Sequence, residues 1–246
     1  MVDTNNDYIL TIDLDWAPDW MIEYVANELI KAQVKATWFV THASPAVEMI
    51  RRRKDLFEIG IHPNCLPGST HGRSEDEVLR HLKKIAPEAI SMRTHALYQS
   101  SLFLVKASKD YGISIDVSLF LPRTPNLVQH YFRCQGANLW RIPYFWEDDV
   151  EMFEEDSIWA LSDPRLHVKG LKVFNFHPVY IVLNTNKFSV YEKLKREKPI
   201  HTWNLDFIRP HISNNHGPKT FFLELVDYLS NFGGRCINEL ISNKNK

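Results

Sequence analysis

Short apolar runs alternate with longer amphipathic ones along most of the chain. Tyr8-Ile9-Leu10-Thr11-Ile12 is compact and rich in branched residues, which predicts a buried strand stopping at Asp13. Ala17-Pro18-Asp19 breaks the run, and Asp19 can cap a helix over 20–32, where Tyr24, Val25, Leu29 and Ile30 recur at helical spacing. The cycle then repeats. Residues 35–41 read as a second strand, and Ser44-Pro45, an N-cap followed by proline at the first helical position, opens a helix through Arg53. Phe57, Ile59 and Ile61 alternate with Glu58 and Gly60 in a third strand that delivers His62 at its end. A turn-rich loop, 63–72, precedes the capping box Ser74-x-x-Glu77 and its helix. Next come a short strand over 89–93, a helix over 101–111 stopped by Gly112, and a strand over 113–119. Periodicity weakens across 122–146, although 139–145 looks extended. Residues 170–176 form a last strand ending in His177-Pro178, and 218–232 a helix closed by Gly233-Gly234. The acidic run 147–151 reads as a helix start or a solvated face, and the tail 242–246 as frayed.

About seven strand-and-helix units, with no repeat, low-complexity tract or linker between them, predict one α/β domain over 1–246. Its mainly parallel sheet should close, or nearly close, into a seven-stranded barrel. Ligands bind such folds at the carboxyl ends of the strands. Asp13, Asp15, His62, Arg93 and His177 all fall at such ends. A lone Asp-x-Asp more often just ends a strand and caps a helix, but five groups of complementary chemistry at one edge point to a catalytic site.

Composition narrows the partners. Charged residues make up 24% and the net charge is -1, so no basic surface advertises nucleic acid and no acidic excess suggests disorder. Cys65, Cys134 and Cys236 are odd in number and form no CxxC, which favours a reducing, cytoplasmic compartment over a disulfide framework. The start is polar (Asp3, Thr4, Asn5, Asn6, Asp7), and no apolar stretch approaches the ~18 residues of a membrane span. Neither an export signal nor an anchor is expected.

A carboxylate with neutral imidazoles suits zinc or another divalent ion, and Asp15 and His62 are the first two ligands. Asp13 is the expected base for a metal-activated water, since residues two apart share a face while a strand stays extended. Arg93 would hold Asp13 ionised, and His177 would protonate a leaving group. Asp148 or Asp149 would orient His177. Trp16, Tyr98, Tyr144, Trp146 and Tyr180 offer faces on which a sugar could stack, although aromatic residues beside strands are more often core.

Together these motifs resemble the polysaccharide deacetylases of carbohydrate esterase family 4, the NodB-homology domain. Thr11-Ile12-Asp13-Leu14-Asp15 looks like the family's first motif, Glu58-Ile59-Gly60-Ile61-His62 like the start of its metal-histidine motif, Met92-Arg93 like its arginine motif, and Phe174-Asn175-Phe176-His177 like its closing motif. The loop 62–72 and Trp146-Glu147-Asp148-Asp149 further resemble the WbmS-like subgroup associated with bacterial surface-polysaccharide gene clusters. The resemblance spans about residues 8–181 and implies a distorted (β/α) barrel and a metal-dependent amide hydrolase, most simply an N-deacetylase acting on an amino sugar. It departs in three places. Leu66 stands where a second metal histidine is usual, four residues after the first; His95 stands where proline is common; and the export signal is missing. His71, carried back by the loop after His62, is therefore the expected third ligand, with His95 as the alternative. The missing signal implies a nucleotide- or lipid-linked sugar inside the cell. A cyclic amide hydrolase on the same scaffold, or an inactive sugar-binding protein, remain the competing readings.

Overall fold

The computed structural model describes residues 8–241, so the polar start and the tail beyond them fall outside the described residues. Its strands are β1 (Tyr8–Asp13), β2 (Ala36–Val40), β3 (Phe57–Ile61), β4 (Ser91–Met92), β5 (Ile115–Asp116), β6 (His130–Cys134), β7 (Ala137–Arg141), β8 (Trp146–Glu147) and β9 (Lys172–Phe176). They form one sheet in the order β6-β7-β5-β4-β3-β2-β1-β9-β8. Every neighbouring pair is parallel except the β6–β7 hairpin. The end strands β6 and β8 do not pair with each other, so the sheet curls into an open half-barrel rather than a closed one.

Among the described residues nine strands replace the expected seven, and both additions lie in or beside the stretch of weak periodicity. β8 is only two residues long. β6 is largely exposed, so burial imposes no alternation on its sequence, and its hairpin turns through Gln135 and Gly136, both at positive φ, rather than through the more familiar Asn-Gly. The strands β1, β2, β3 and β9 are buried along their whole length, and so read as continuous apolar runs.

Helices cover the sheet: α1 (Asp19–Ala32), α2 (Pro45–Arg52), α3 (Glu75–Ile85), α4 (Ser101–Tyr111), α5 (Asp148–Glu151), α6 (Pro178–Leu183), α7 (Phe188–Glu197), α8 (Leu205–Ile208) and α9 (Pro218–Phe232). Ser44, Ser74 and Ser100 cap α2, α3 and α4 by accepting from the backbone N–H three residues on. Asp19 does not cap α1. Pro18 holds that position, and Asp19 lies in the first turn, where its charge suits the helix dipole. Among the described residues no helix is long and apolar enough to cross a membrane.

Gly60 shows how tightly the strands approach below the site. A Cβ there would lie 2.6 Å from Ser91 Oγ and 2.7 Å from the Phe39 ring. Without it, Phe39 slides under the Arg93 guanidinium, 4.7 Å from ring centroid to Cζ.

Candidate active site

β1 delivers Asp13 in extended geometry, but the strand ends there. Asp15 (φ 41°) and Trp16 (φ 57°) are left-handed, so a tight turn, not a continued strand, brings Asp15 back to the same edge. Such conformations are costly for residues with side chains, and they persist where the surroundings over-determine them. Here Trp16 N–H donates to Thr41 Oγ1 at 3.2 Å, and the Trp16 ring lies 5.3 Å from His71 and 5.4 Å from His95.

Asp15 Oδ1, His62 Nε2 and His95 Nδ1 converge. The separations are 3.1 Å (Asp15–His62), 3.3 Å (Asp15–His95) and 3.3 Å (His62–His95). Two ligands on a tetrahedral zinc, each at ~2.0–2.1 Å, stand roughly 3.3–3.4 Å apart, so these three atoms match one face of such a site. Asp15 is held well into its ionised form. Burial opposes the charge, but the His62 and His95 rings and the nearby His177 overcome it.

His71 does not join them. Its Nδ1 accepts from Asn64 N–H at 3.2 Å and its Nε2 donates to Thr41 O at 2.8 Å, so neither nitrogen is left to bind a metal. Burial also pushes its pKa down to about 4, which keeps the ring neutral. The residue that does meet Asp15 and His62 is His95, in a tight turn tied down by its N–H to Pro63 O at 2.9 Å.

Asp13 lies just beneath. Arg93 Nη1 donates to its Oδ1 at 3.1 Å, Asn175 Nδ2 donates to its Oδ2 at 2.9 Å, and His62 Nδ1 is 3.7 Å from Oδ2. Arg93 is sandwiched between the rings of Phe39 and Tyr144 and also donates to Thr11 Oγ1 and Val117 O. It touches Asp13 through one nitrogen only, rather than through a two-nitrogen fork.

His177 follows β9. Asp148 grips it twice, Oδ2 accepting from the backbone N–H at 2.8 Å and Oδ1 meeting ring Nδ1 at 2.7 Å, while Nε2 lies 3.7 Å from Asp15 Oδ2. Burial opposes a charge on His177, yet the carboxylates of Asp148, Asp15 and Asp149 raise its pKa well above the usual imidazole value. Asp148 rather than Asp149 is thus the orienting partner, and burial pushes its own pKa up to about 6.

Two residues here had been given no role. Asn175 is fully buried and bridges Asp13 to Glu147, its Nδ2 donating to Glu147 Oε1 at 2.8 Å. Glu147 also accepts from Tyr144 O–H at 3.0 Å, and burial pushes its pKa up to about 8. The acidic run does start a helix, but Glu147, Asp148 and Glu151 are buried, not solvated. A signal for Asn175 existed in the sequence: a polar residue between two phenylalanines of a buried strand, two before His177 and so on the same face.

The aromatic residues divide. Trp16 is half-buried against His95, Tyr144 lines the cavity, and Tyr180 meets the edge of His177 at 5.3 Å. Trp146 belongs to the core, packed on Phe176 and Phe221, and Tyr98 O–H is turned to Glu75 at 2.7 Å. The cavity between Asp13, Asp15, His95, Leu97, Tyr144 and His177 holds about 140 Å³, room for an acyl-amide group and a few waters at ~30 Å³ each but not for a whole sugar chain. Among the described residues, buried polar atoms without a hydrogen-bond partner gather here: Asp15 Oδ1, His62 Nδ1, Arg93 Nη2, Thr94 Oγ1 and Asp149 Oδ1. Unsatisfied groups at a convergent donor set are what a site built for a cation and a polar ligand leaves behind.

The sequence profile of the WbmS-like polysaccharide deacetylase family matches residues 10–195. The chain is 32% identical to a Bordetella bronchiseptica protein assigned as a polysaccharide deacetylase involved in O-antigen biosynthesis, with 90% of each chain covered and a TM-score of 0.78. It is similar in fold alone to the 4-alpha-glucanotransferase of Thermococcus litoralis, at 11% identity and a TM-score of 0.53 over 97% of this chain and 38% of that one. The same holds for the Bc1960 peptidoglycan N-acetylglucosamine deacetylase, at 14% identity and a TM-score of 0.50 over 94% and 85%. No curated protein matches the chain.

Proposed function

The chain belongs to the WbmS-like polysaccharide deacetylase family, and from that premise we propose that it is a metal-dependent N-deacetylase acting on an N-acetylated amino sugar in bacterial surface-polysaccharide synthesis. The observation that carries this reading is the triangle of Asp15 Oδ1, His62 Nε2 and His95 Nδ1, with edges of 3.1–3.3 Å. Charge supports it too. With Glu147 largely protonated at neutral pH, the four carboxyls of Asp13, Asp15, Asp148 and Asp149 face two cations, Arg93 and the His177 imidazolium, an imbalance that a divalent cation offsets.

Zinc, or a similar ion, held by Asp15, His62 and His95 would supply Lewis acidity, lowering the pKa of a coordinated water and polarising the acetyl oxygen. Asp13, fixed by Arg93 and Asn175, takes the proton of the attacking water. His177, kept protonated by its carboxylate neighbours, gives its Nε2 proton to the departing amine as the C–N bond breaks. Asp148 holds the ring in place for that transfer. Only the acetamido end of the substrate enters the small cavity, so the rest of the sugar, nucleotide- or lipid-linked, lies outside it, beyond Leu97. Three unpaired cysteines agree with a reducing compartment.

The test is acetate release from N-acetyl amino sugars by zinc-loaded protein. A chelator should abolish it, and zinc should restore it. His177→Ala should slow the amide by about 10²–10⁴-fold and an activated acetyl ester much less, because a good leaving group needs no proton. Ring opening of a cyclic amide without acetate, or tight sugar binding with no turnover in zinc, would overturn the proposal.

A further inference from the structure

The mechanism above uses Asp13 but not the buried carboxyl two hydrogen bonds away. Glu147 comes from β8, Asn175 from β9 and Asp13 from β1, three strands that are neighbours in the sheet. Asn175 uses its whole amide. Its Oδ1 accepts from Arg93 Nη1 and from Thr11 Oγ1 at 3.2 Å, and its two Nδ2 protons go to Asp13 Oδ2 and Glu147 Oε1. Flipping the amide would turn its oxygen toward two carboxyls and its NH₂ toward the guanidinium, so one orientation is imposed. Glu147 is fixed in turn by Tyr144, whose ring lies over Arg93 at 4.5 Å.

We propose that Glu147 and Asn175 are positioning residues for the Asp13 carboxylate: Glu147 locks the Asn175 amide, and Asn175 sets the plane in which Asp13 faces the cavity. The inference rests on the reading of Asp13 as the base. Arg93 alone cannot set that plane, since it reaches Asp13 through a single nitrogen. Among the described residues the second oxygen is held by Asn175 alone at hydrogen-bonding distance, because His62 Nδ1 stays at 3.7 Å. What Glu147 must supply is an acceptor at Oε1, and a glutamine supplies the same acceptor in the same shape. The requirement is therefore for a hydrogen bond and not for a charge.

Two variants separate these demands. Glu147→Gln should keep kcat within about threefold of wild type, whereas Glu147→Met, of similar volume but with no comparable acceptor, should lower kcat about tenfold with KM and zinc content unchanged. Asn175→Leu should lower kcat by about 10²-fold, the scale of a misplaced catalytic group, and adding Glu147→Met to it should cost nothing more. Crystal structures supply a readout independent of the reaction. Asp13 should keep its wild-type rotamer in Glu147→Gln and rotate or split in Glu147→Met. An unmoved Asp13 in Glu147→Met overturns the proposal whatever the substrate proves to be, as does a glutamine variant as damaged as the methionine one or losses that multiply. If Glu147→Met fails to fold, Glu147→Gln still decides, because a displaced Asp13 or a tenfold loss there refutes the inference and an unmoved Asp13 with wild-type kcat upholds it. A wild-type protein releasing no acetate would sink the deacetylase reading separately, since the crystallographic comparison does not depend on turnover.

Discussion

The two ends of the half-barrel treat buried polar groups in opposite ways. Toward the end where the C-terminal segment docks, Glu58 is buried on β3, and each oxygen is satisfied. Ser91 Oγ donates to Oε1 at 2.8 Å, and Thr37 Oγ1 and Asn238 N–H donate to Oε2 at 2.7 and 3.0 Å. Burial raises its pKa, and its neutral donors limit the rise. Four residues along the same strand direction, His62 opens the other end, where Asp15, Arg93, Thr94 and Asp149 each keep a buried atom without a partner. A satisfied buried carboxyl ties elements together; unsatisfied ones at a convergent edge are waiting for a ligand. The cavity beside Glu58, about 430 Å³, is larger than the one of about 140 Å³ around Asp13 and Asp15, so size does not mark the end where the proposed chemistry lies.

The sharpest way to break this contrast is to remove the proposed base. Asp13→Asn should lower acetate release by about 10³-fold while zinc stays near one equivalent, because Asp13 is not among the three proposed ligands. Full activity in folded Asp13→Asn would erase the distinction between the ends. A second cut separates two histidines that the sequence ranked in the other order: His95→Ala should lose zinc on dialysis, whereas His71→Ala should keep it and lose about 1–2 kcal/mol of stability with its two backbone hydrogen bonds. Zinc contents measured by atomic absorption decide between them.

Glu58→Ala should do the reverse of Asp13→Asn. Stripping one acceptor from three buried donors should cost about 2–3 kcal/mol in denaturant unfolding while kcat and zinc content hold. The last contrast is a slope with pH rather than a single loss, and concerns Glu147 in zinc-free protein. A carboxyl whose pKa rises from 4.5 unfolded to about 8 folded binds more protons in the folded state across that window, so it erodes stability as pH rises through it. Wild type should lose roughly 1 kcal/mol per pH unit relative to Glu147→Gln between those limits, and parallel pH–stability curves would refute the assignment.

The primary sequence determined the repeated strand-and-helix order, the serine caps at Ser44 and Ser74, and the strand ends carrying Asp13, His62, Arg93 and His177, because hydrophobic period, capping and turn chemistry are local properties. Sequence also carried Asp15 to the right place for an incomplete reason, since positive φ, not continued extension, turns it inward. Only tertiary structure could bring His95 rather than His71 to Asp15 and His62, since both ring nitrogens of His71 meet backbone groups instead. The same holds for Asp148 over Asp149 and for the Glu147–Asn175 bridge. Residues 28 apart in the chain meet there only because β8 and β9 are neighbours in the sheet, and strand pairing is not written in any local window.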